Sequence, residues 1–289
     1  KIFSDSKIAK KLNDGGVFLS SANSINWGRL VPQIVYYISA YCDMYKSGKI
    51  DLGEKIDVCV PTGNFGNIFA AYLAKLMGLP IGKLVCASNE NDVLTEFLQS
   101  GRYNRNRAFR TTMSPSMDIL ISSNLERLLY VTLGCEKCAE YMRKLNEYGE
   151  YTLDGAELAK INESFVGYSA TENDCADTIK KTYKNEGRLI DTHTSVAVFC
   201  AERYMSDNEA RSLMLVVSTA SAYKFAGDVV LSLTGFKPED DLDAPQALLA
   251  ATGVDIPYPL EGILSKQPIH LDVIDKENMA ESVLNFALN

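Results

Sequence analysis

The stretch Val60-Pro61-Thr62-Gly63-Asn64-Phe65-Gly66-Asn67 limits most what this chain can fold into. It follows a short apolar run, Ile56-Asp57-Val58-Cys59-Val60, that reads as a buried strand. It leads into Ile68-Phe69-Ala70-Ala71-Tyr72-Leu73-Ala74-Lys75-Leu76-Met77, a strong helix former closed by Gly78 and Pro80. A strand, a two-glycine turn and a helix start present bare backbone N–H groups to an anion. The first helical N–H groups have no internal partner, and the helix dipole adds partial positive charge. Gly63 and Gly66 let the main chain turn sharply and approach a ligand, with a positive φ open to them. The same glycines would serve a plain tight turn, and their spacing fits neither of the two commonest nucleotide motifs. The stretch reads as a phosphate cradle.

A second unit of the same kind follows. Lys83-Leu84-Val85-Cys86-Ala87 reads as a strand, and a helix runs on through Phe97, so a parallel sheet with right-handed crossovers is expected. Leu213-Met214-Leu215-Val216-Val217 reads as a further buried strand, ending in Ser218-Thr219-Ala220-Ser221-Ala222-Tyr223-Lys224-Phe225. Ligands of open α/β sheets sit beyond the carboxyl ends of strands, so this loop and the cradle should open on one edge. Upstream, Leu30, Val31, Ile34, Val35, Ile38, Tyr41, Cys42 and Tyr45 recur at helical spacing, with Ser24 or Asn26 as N-cap and Pro32 near the start. Uncharged donors beside Arg29 at that helix start would suit a second phosphate. Ser122, Ser123 and Asn124 read as the cap of a helix carrying Leu125, Leu128 and Leu129, and Arg127 as the partner of Glu126 or Asp118. From Thr132 to Gly187 the pattern is helical and polar, with a capping box opening at Thr171. His193, beside Asp191 before an apolar helix, reads as structural.

Charge narrows the function. The net charge is −8, which excludes a nucleic-acid or anionic-membrane partner that needs clustered positive charge; an anionic substrate would need a local cationic pocket. The arginines between Gly101 and Thr112 read as a solvated loop. No apolar run reaches the length of a membrane span, and no signal peptide is visible. Seven scattered cysteines suggest reduced thiols in a cytoplasmic protein, and Cys135-Glu136-Lys137-Cys138 is a lone pair on one helix rather than a metal site.

Pro61-Thr62-Gly63-Asn64-Phe65-Gly66-Asn67 resembles the phosphate loop of pyridoxal-phosphate enzymes of the tryptophan-synthase-β type, and specifically of threonine synthases. Four further segments are similar to that family. They are Ser21-Ala22-Asn23-Ser24-Ile25-Asn26-Trp27-Gly28-Arg29-Leu30, Ser114-Pro115-Ser116-Met117-Asp118-Ile119 with Ser122-Ser123-Asn124 beyond it, Asp191-Thr192-His193-Thr194, and Ser218-Thr219-Ala220-Ser221. The last has Ala222 where the family has proline, which should loosen the loop.

The resemblance implies an α/β fold of type II: an open twisted parallel sheet with flanking helices, incomplete at its N-terminus. Residues 1–118 would form the α/β part with the cofactor-phosphate loop, 119–187 a helical insertion, and 188–289 the rest of the α/β domain with C-terminal helices. The implied cofactor is pyridoxal 5'-phosphate, bound by Gly63, Asn64, Phe65, Gly66 and Asn67, with the Thr219 hydroxyl on the ring nitrogen. Ser24, Asn26 and Arg29 would bind substrate, and no metal is implied. The implied reaction converts O-phospho-L-homoserine and water to L-threonine and phosphate, in a cytoplasmic monomer or homodimer. The rivals are a phospho-lyase releasing 2-oxobutyrate and a non-catalytic anion-binding domain.

The family's Schiff-base lysine lies upstream of the phosphate loop, and this chain has no such segment there. Its first residue is a lysine rather than Met. The chain alone is therefore expected to be inactive, with apolar surface exposed or covered by a second chain. Pyridoxal phosphate added to the purified chain and reduced with borohydride should leave no stoichiometric adduct in the intact mass. An adduct on Lys224 would overturn this expectation.

Overall fold

The computed structural model describes residues 2–209, 212–267, 269 and 271–288. The chain opens with α1 (Ser6–Asp14), α2 (Trp27–Leu30) and α3 (Ile34–Lys46). Two strand–helix units follow: β1 (Ile56–Pro61), α4 (Gly66–Leu76), β2 (Ile81–Ser88) and α5 (Val93–Ser100). The short antiparallel pair β3 (Arg102–Asn104) and β4 (Glu150–Thr152) brackets α6 (Leu125–Leu133) and α7 (Cys135–Tyr148). Then come α8 (Gly155–Asn162), β5 (Phe165–Ser169), α9 (Glu172–Glu186), α10 (Thr192–Asp207) and β6 (Met214–Val216). The chain finishes with α11 (Ala226–Thr234), α12 (Ala244–Thr252) and α13 (Met279–Leu288), the last packing on α1.

Among the described residues the main sheet has the order β5-β2-β1-β6, and every neighbouring pair is parallel. β1 is buried along its whole length, as a central parallel strand must be when helices cover both faces. The period-2 alternation of strand side chains divides the core. Val58 and Val60 of β1, with Leu84 and Cys86 of β2, face the layer built by α3, α4 and α5. Cys59, Val85 and Ala87 face the opposite layer, where α10 supplies Val196, Ala197 and Cys200. Burial pushes the Cys86 thiol up to about 12, so that cysteine stays a neutral packing group.

Two elements depart from the sequence reading. The range 119–187 is not wholly helical: it contributes β5 to the main sheet, paired with β2 from Leu84↔Phe165 to Ser88↔Ser169. Around and after Pro32 the chain buries only part of the apolar set its spacing gives: Leu30, Tyr41 and partly Ile34 turn inward, joined by Tyr37. Tyr37 donates to the Asn67 side chain, while Val35, Ile38, Cys42 and Tyr45 stay exposed. The capping box at Thr171 and the Gly187 stop stand as read. Three of the four arginines of the basic loop lie in ion pairs, Arg102 with Glu150, Arg107 with Asp92 and Arg110 with Glu90, while Arg105 donates to the Asn146 carbonyl. None of the described helices is long and apolar enough to cross a membrane.

β5 works as a sheet strand because Gly167 lets α5 lie close. A Cβ there would come within 2.8 Å of the Thr95 Cα and 3.1 Å of the Thr95 carbonyl oxygen. Both contacts are to backbone, which cannot swing aside. Gly167→Ala should therefore lower stability by about 1–3 kcal/mol, the usual cost of overpacking. A urea midpoint equal to that of the parent chain would contradict this packing.

Candidate functional site

The chain runs from β1 outward to β2 and β5, whereas β6 lies on the other side of β1. The loops after β1 and β6 therefore diverge at a topological switch point, where open α/β sheets form a crevice beyond their carboxyl ends. A cavity of about 370 Å³ lies there, within the range of small-molecule sites. Residues 61–68 line one side, Thr219 another, and Asn23, Ser24, Arg29 and Gln33 a third; Ser116, Met117 and His193 complete it.

The cradle is built on Phe65, not on its glycines. Phe65 takes φ 62° as N-cap of α4, while neither Gly63 nor Gly66 has a positive φ. The conformational freedom expected of the glycines is thus unused, and close approach is the role of Gly63 alone. A Cβ on Gly63 would lie 2.7 Å from the Ser116 carbonyl oxygen, and one on Gly66 3.4 Å from both Asn124 Nδ2 and Ser24 Cβ. Among the described residues, no backbone N–H of residues 63–68 has an acceptor. Consecutive unpaired donors at a helix N-terminus, open to a cavity, are what an anion requires.

Residues 122–124 fasten this turn from outside. Ser122 Oγ donates to the Gly63 carbonyl at 2.8 Å, Ser123 Oγ to Asn64 Oδ1 at 3.2 Å, and Asn124 Nδ2 to the Asn64 carbonyl at 2.8 Å. They had been read as a helix cap. Asn124 does occupy the N-cap position of α6, but its side chain makes no capping bond. Arg127 also departs from its reading. It pairs with neither Glu126 nor Asp118; Nη2 donates to the Ile25 carbonyl at 2.6 Å, with the guanidinium over the Trp27 ring.

The residues assigned to substrate divide. Ser24 and Arg29 line the cavity, and Arg29 is its one cationic side chain of fixed charge among the described residues. Arg29 Nη1 donates to the Ala22 carbonyl, which holds the guanidinium across the loop. Asn26 does not line the cavity. Its Oδ1 caps α2 by accepting from Gly28 N at 2.9 Å, and its Nδ2 donates to the Ser21 carbonyl. Asn23 and Gln33 stand there instead, as polar residues the sequence offered no reason to prefer.

Thr219 is exposed in the cavity at the end of β6. The loop beyond it forms a 3-10 turn, Ala222–Phe225, whose Ser221 hydroxyl accepts from Tyr223 N. Lys224 is exposed, with its ammonium over the Phe225 ring, and among the described residues no lysine lines the cavity.

His193 was read as structural, yet its ring lies on the cavity wall. Nε2 accepts from Ser116 N at 3.1 Å. Asp191, its neighbour, caps α10 through the His193 and Thr194 N–H groups. Burial opposes ionisation of Asp191, but the hydrogen bonds from His193 and Thr194 outweigh it and hold the carboxyl below its ordinary value.

A parallel α/β sheet flanked by helices, with a strand–turn–helix loop at its switch point, is the fold-type-II architecture of pyridoxal-phosphate enzymes. The chain belongs to the threonine synthase family. It is 40% identical over 270 residues to human threonine synthase-like 1, covering 92% of this chain and 36% of that protein. It is 38% identical over 251 residues to the threonine synthase of Saccharomyces cerevisiae, covering 81% of this chain and 47% of that one. The structure superposes on pyridoxal-phosphate-bound threonine synthase from Brucella melitensis with a TM-score of 0.79 at 33% identity, over 99% of this chain and 55% of that one. The yeast enzyme's structure matches with a TM-score of 0.81 at 29% identity, over 100% and 56%. The chain thus spans between about a third and about half of the curated relatives it matches. No protein-family profile matches it.

The Gly63 contact yields a direct test. Gly63→Ala drives a Cβ into the Ser116 carbonyl and must displace one side of the cradle. Inorganic phosphate should bind the variant at least about tenfold more weakly, equivalent to about 1.4 kcal/mol, by phosphorus NMR titration. Equal affinities would refute the cradle.

Proposed function

We infer that this chain forms the cofactor-phosphate side of a threonine-synthase-like enzyme, which converts O-phospho-L-homoserine and water to L-threonine and phosphate. The observation that carries the reading is the row of unpaired N–H groups at residues 63–68, sharing one cavity with Thr219. These residues fit pyridoxal 5'-phosphate: the N–H groups and the α4 dipole would hold its phosphate, and the Thr219 hydroxyl would face its ring nitrogen. When bound, the cofactor supplies an electron sink for proton loss next to the substrate's amino carbon. A hydroxyl, unlike a carboxylate, leaves the ring nitrogen free to stay unprotonated.

The chain's own residues do the rest. Arg29 and Ser24, with Asn23 and Gln33 beside them, would take the phosphate of a phosphorylated amino acid in an otherwise acidic protein. Gln33 is held by its Nε2 bond to the Arg29 carbonyl, which keeps the two polar groups in register. Among the described residues no lysine lines the cavity, so a lysine anchoring the cofactor covalently would have to reach it from elsewhere. The proposed setting is cytoplasmic, as a monomer or homodimer.

The cofactor reading is tested with the chain as it stands. Pyridoxal phosphate should quench the fluorescence of the single tryptophan, Trp27, and inorganic phosphate should compete. Thr219→Val should weaken the cofactor's binding by about 1–3 kcal/mol, the loss of one hydrogen bond, while leaving inorganic phosphate affinity unchanged. Absence of quenching would refute the reading. The reaction itself is tested in a chimera in which this chain replaces the matching part of yeast threonine synthase. Threonine from O-phospho-L-homoserine supports the proposal; 2-oxobutyrate would make the protein a phospho-lyase.

A further inference from the structure

A histidine on the wall of a catalytic-type cavity invites a role in proton transfer, but the geometry of His193 points elsewhere. Nε2 accepts the Ser116 N–H, so it carries no proton. The ring proton therefore sits on Nδ1, which lies 3.3 Å from Asp191 Oδ1 and 3.4 Å from Thr192 Oγ1. Both nitrogens are engaged inside the protein, and the ring is buried against Phe225, with centroids 4.6 Å apart. The Ser116 whose N–H the ring holds is the residue whose carbonyl crowds Gly63. The ring thus fixes the Ser116 turn, and that turn fixes the start of the cradle.

Asp191 has a second arm. Thr194 Oγ1 donates to Asp191 Oδ2, so at 3.1 Å from Ser218 Oγ it is the acceptor. Ser218 precedes Thr219, which lines the cavity. One carboxylate, 1% exposed, is therefore linked through His193 to the cradle and through Thr194 to the Thr219 loop.

We propose that Asp191 and His193 are positioning residues that set the spacing of the two sides of the site, and that His193 transfers no proton. The proposal rests on residues 63–68 being an anion cradle. In the purified chain, the nitrogen NMR spectrum of His193 should show Nδ1 protonated and Nε2 bare; the opposite tautomer overturns the proposal. His193→Leu should weaken inorganic phosphate binding about tenfold, and His193→Gln, whose Oε1 can accept the Ser116 N–H, should restore it to within about threefold. Equal affinity in the leucine variant, or no rescue by glutamine, overturns it.

The amide cross-peaks give a readout independent of any ligand. His193→Leu should shift Gly63 and leave Thr219 in place, whereas Asp191→Asn should shift both. A Gly63 peak unmoved by His193→Leu sinks the linkage even in a folded variant. If the parent chain bound no phosphate, the cradle reading would fall, while the cross-peak pattern and the tautomer would still decide the linkage.

Discussion

Phe65 holds a left-handed backbone conformation, and the cavity depends on its staying there. An L-residue in that region costs roughly 1–2 kcal/mol. Its ring is 1% exposed and lies 5.5 Å from Phe165, with Tyr72 packed on the other ring at 5.1 Å. Full burial of such a side chain contributes about 1.5–3 kcal/mol, enough to keep the turn strained. The strained residue turns the chain from the β1 direction into α4 and leaves the N–H groups of the turn without internal acceptors. Strain of this kind persists where the surroundings over-determine it, and here the surroundings are an aromatic cluster fed by β5.

The same logic explains why the loop of residues 112–118 is so heavily bonded. It is the support on which Gly63 rests, and it has little regular structure of its own. Asn89 Nδ2 reaches Thr112 Oγ1 and Asp118 Oδ1, each at 2.8 Å, and Asn91 Nδ2 reaches Asp118 Oδ1 at 2.9 Å. Glu172 takes the Met113 N–H at 2.8 Å and His193 takes that of Ser116. Side chains from three separate segments thus substitute for a helix or strand ladder. Buried backbone groups must find partners, and in an irregular loop the side chains supply them.

What the sequence disclosed follows how local each feature is. The loop after β1 lies within eight consecutive residues whose strand, turn and helix are each set by near neighbours, and those elements stand where they were read. So do the parallel strands and the Thr171 capping box. The role of Asn124 was hidden because Ser-Ser-Asn before a leucine-rich helix is also a sound cap pattern. Its true partner, the Asn64 carbonyl, lies sixty residues away. β5 was hidden for a related reason: Phe165-Val166-Gly167-Tyr168-Ser169 is short, carries a glycine and sits between helices, so only the sheet identifies it. On α3, spacing alone could not decide which part of the apolar set turns inward. The hydroxyl of Tyr37, needed by Asn67, settles it.

The two sides of the cavity rest on unequal foundations. The cradle follows β1, which has a strand on each side and helices on both faces. Thr219 follows β6, a half-buried strand of three residues paired only with β1 among the described residues. Hydrogen exchange should therefore separate them: amides of β1 open only with the whole domain, those of β6 in a smaller, cheaper event. The side after β1 is a fixed floor, and the Thr219 side is a wall whose order a bound ligand, by bridging the two, would raise.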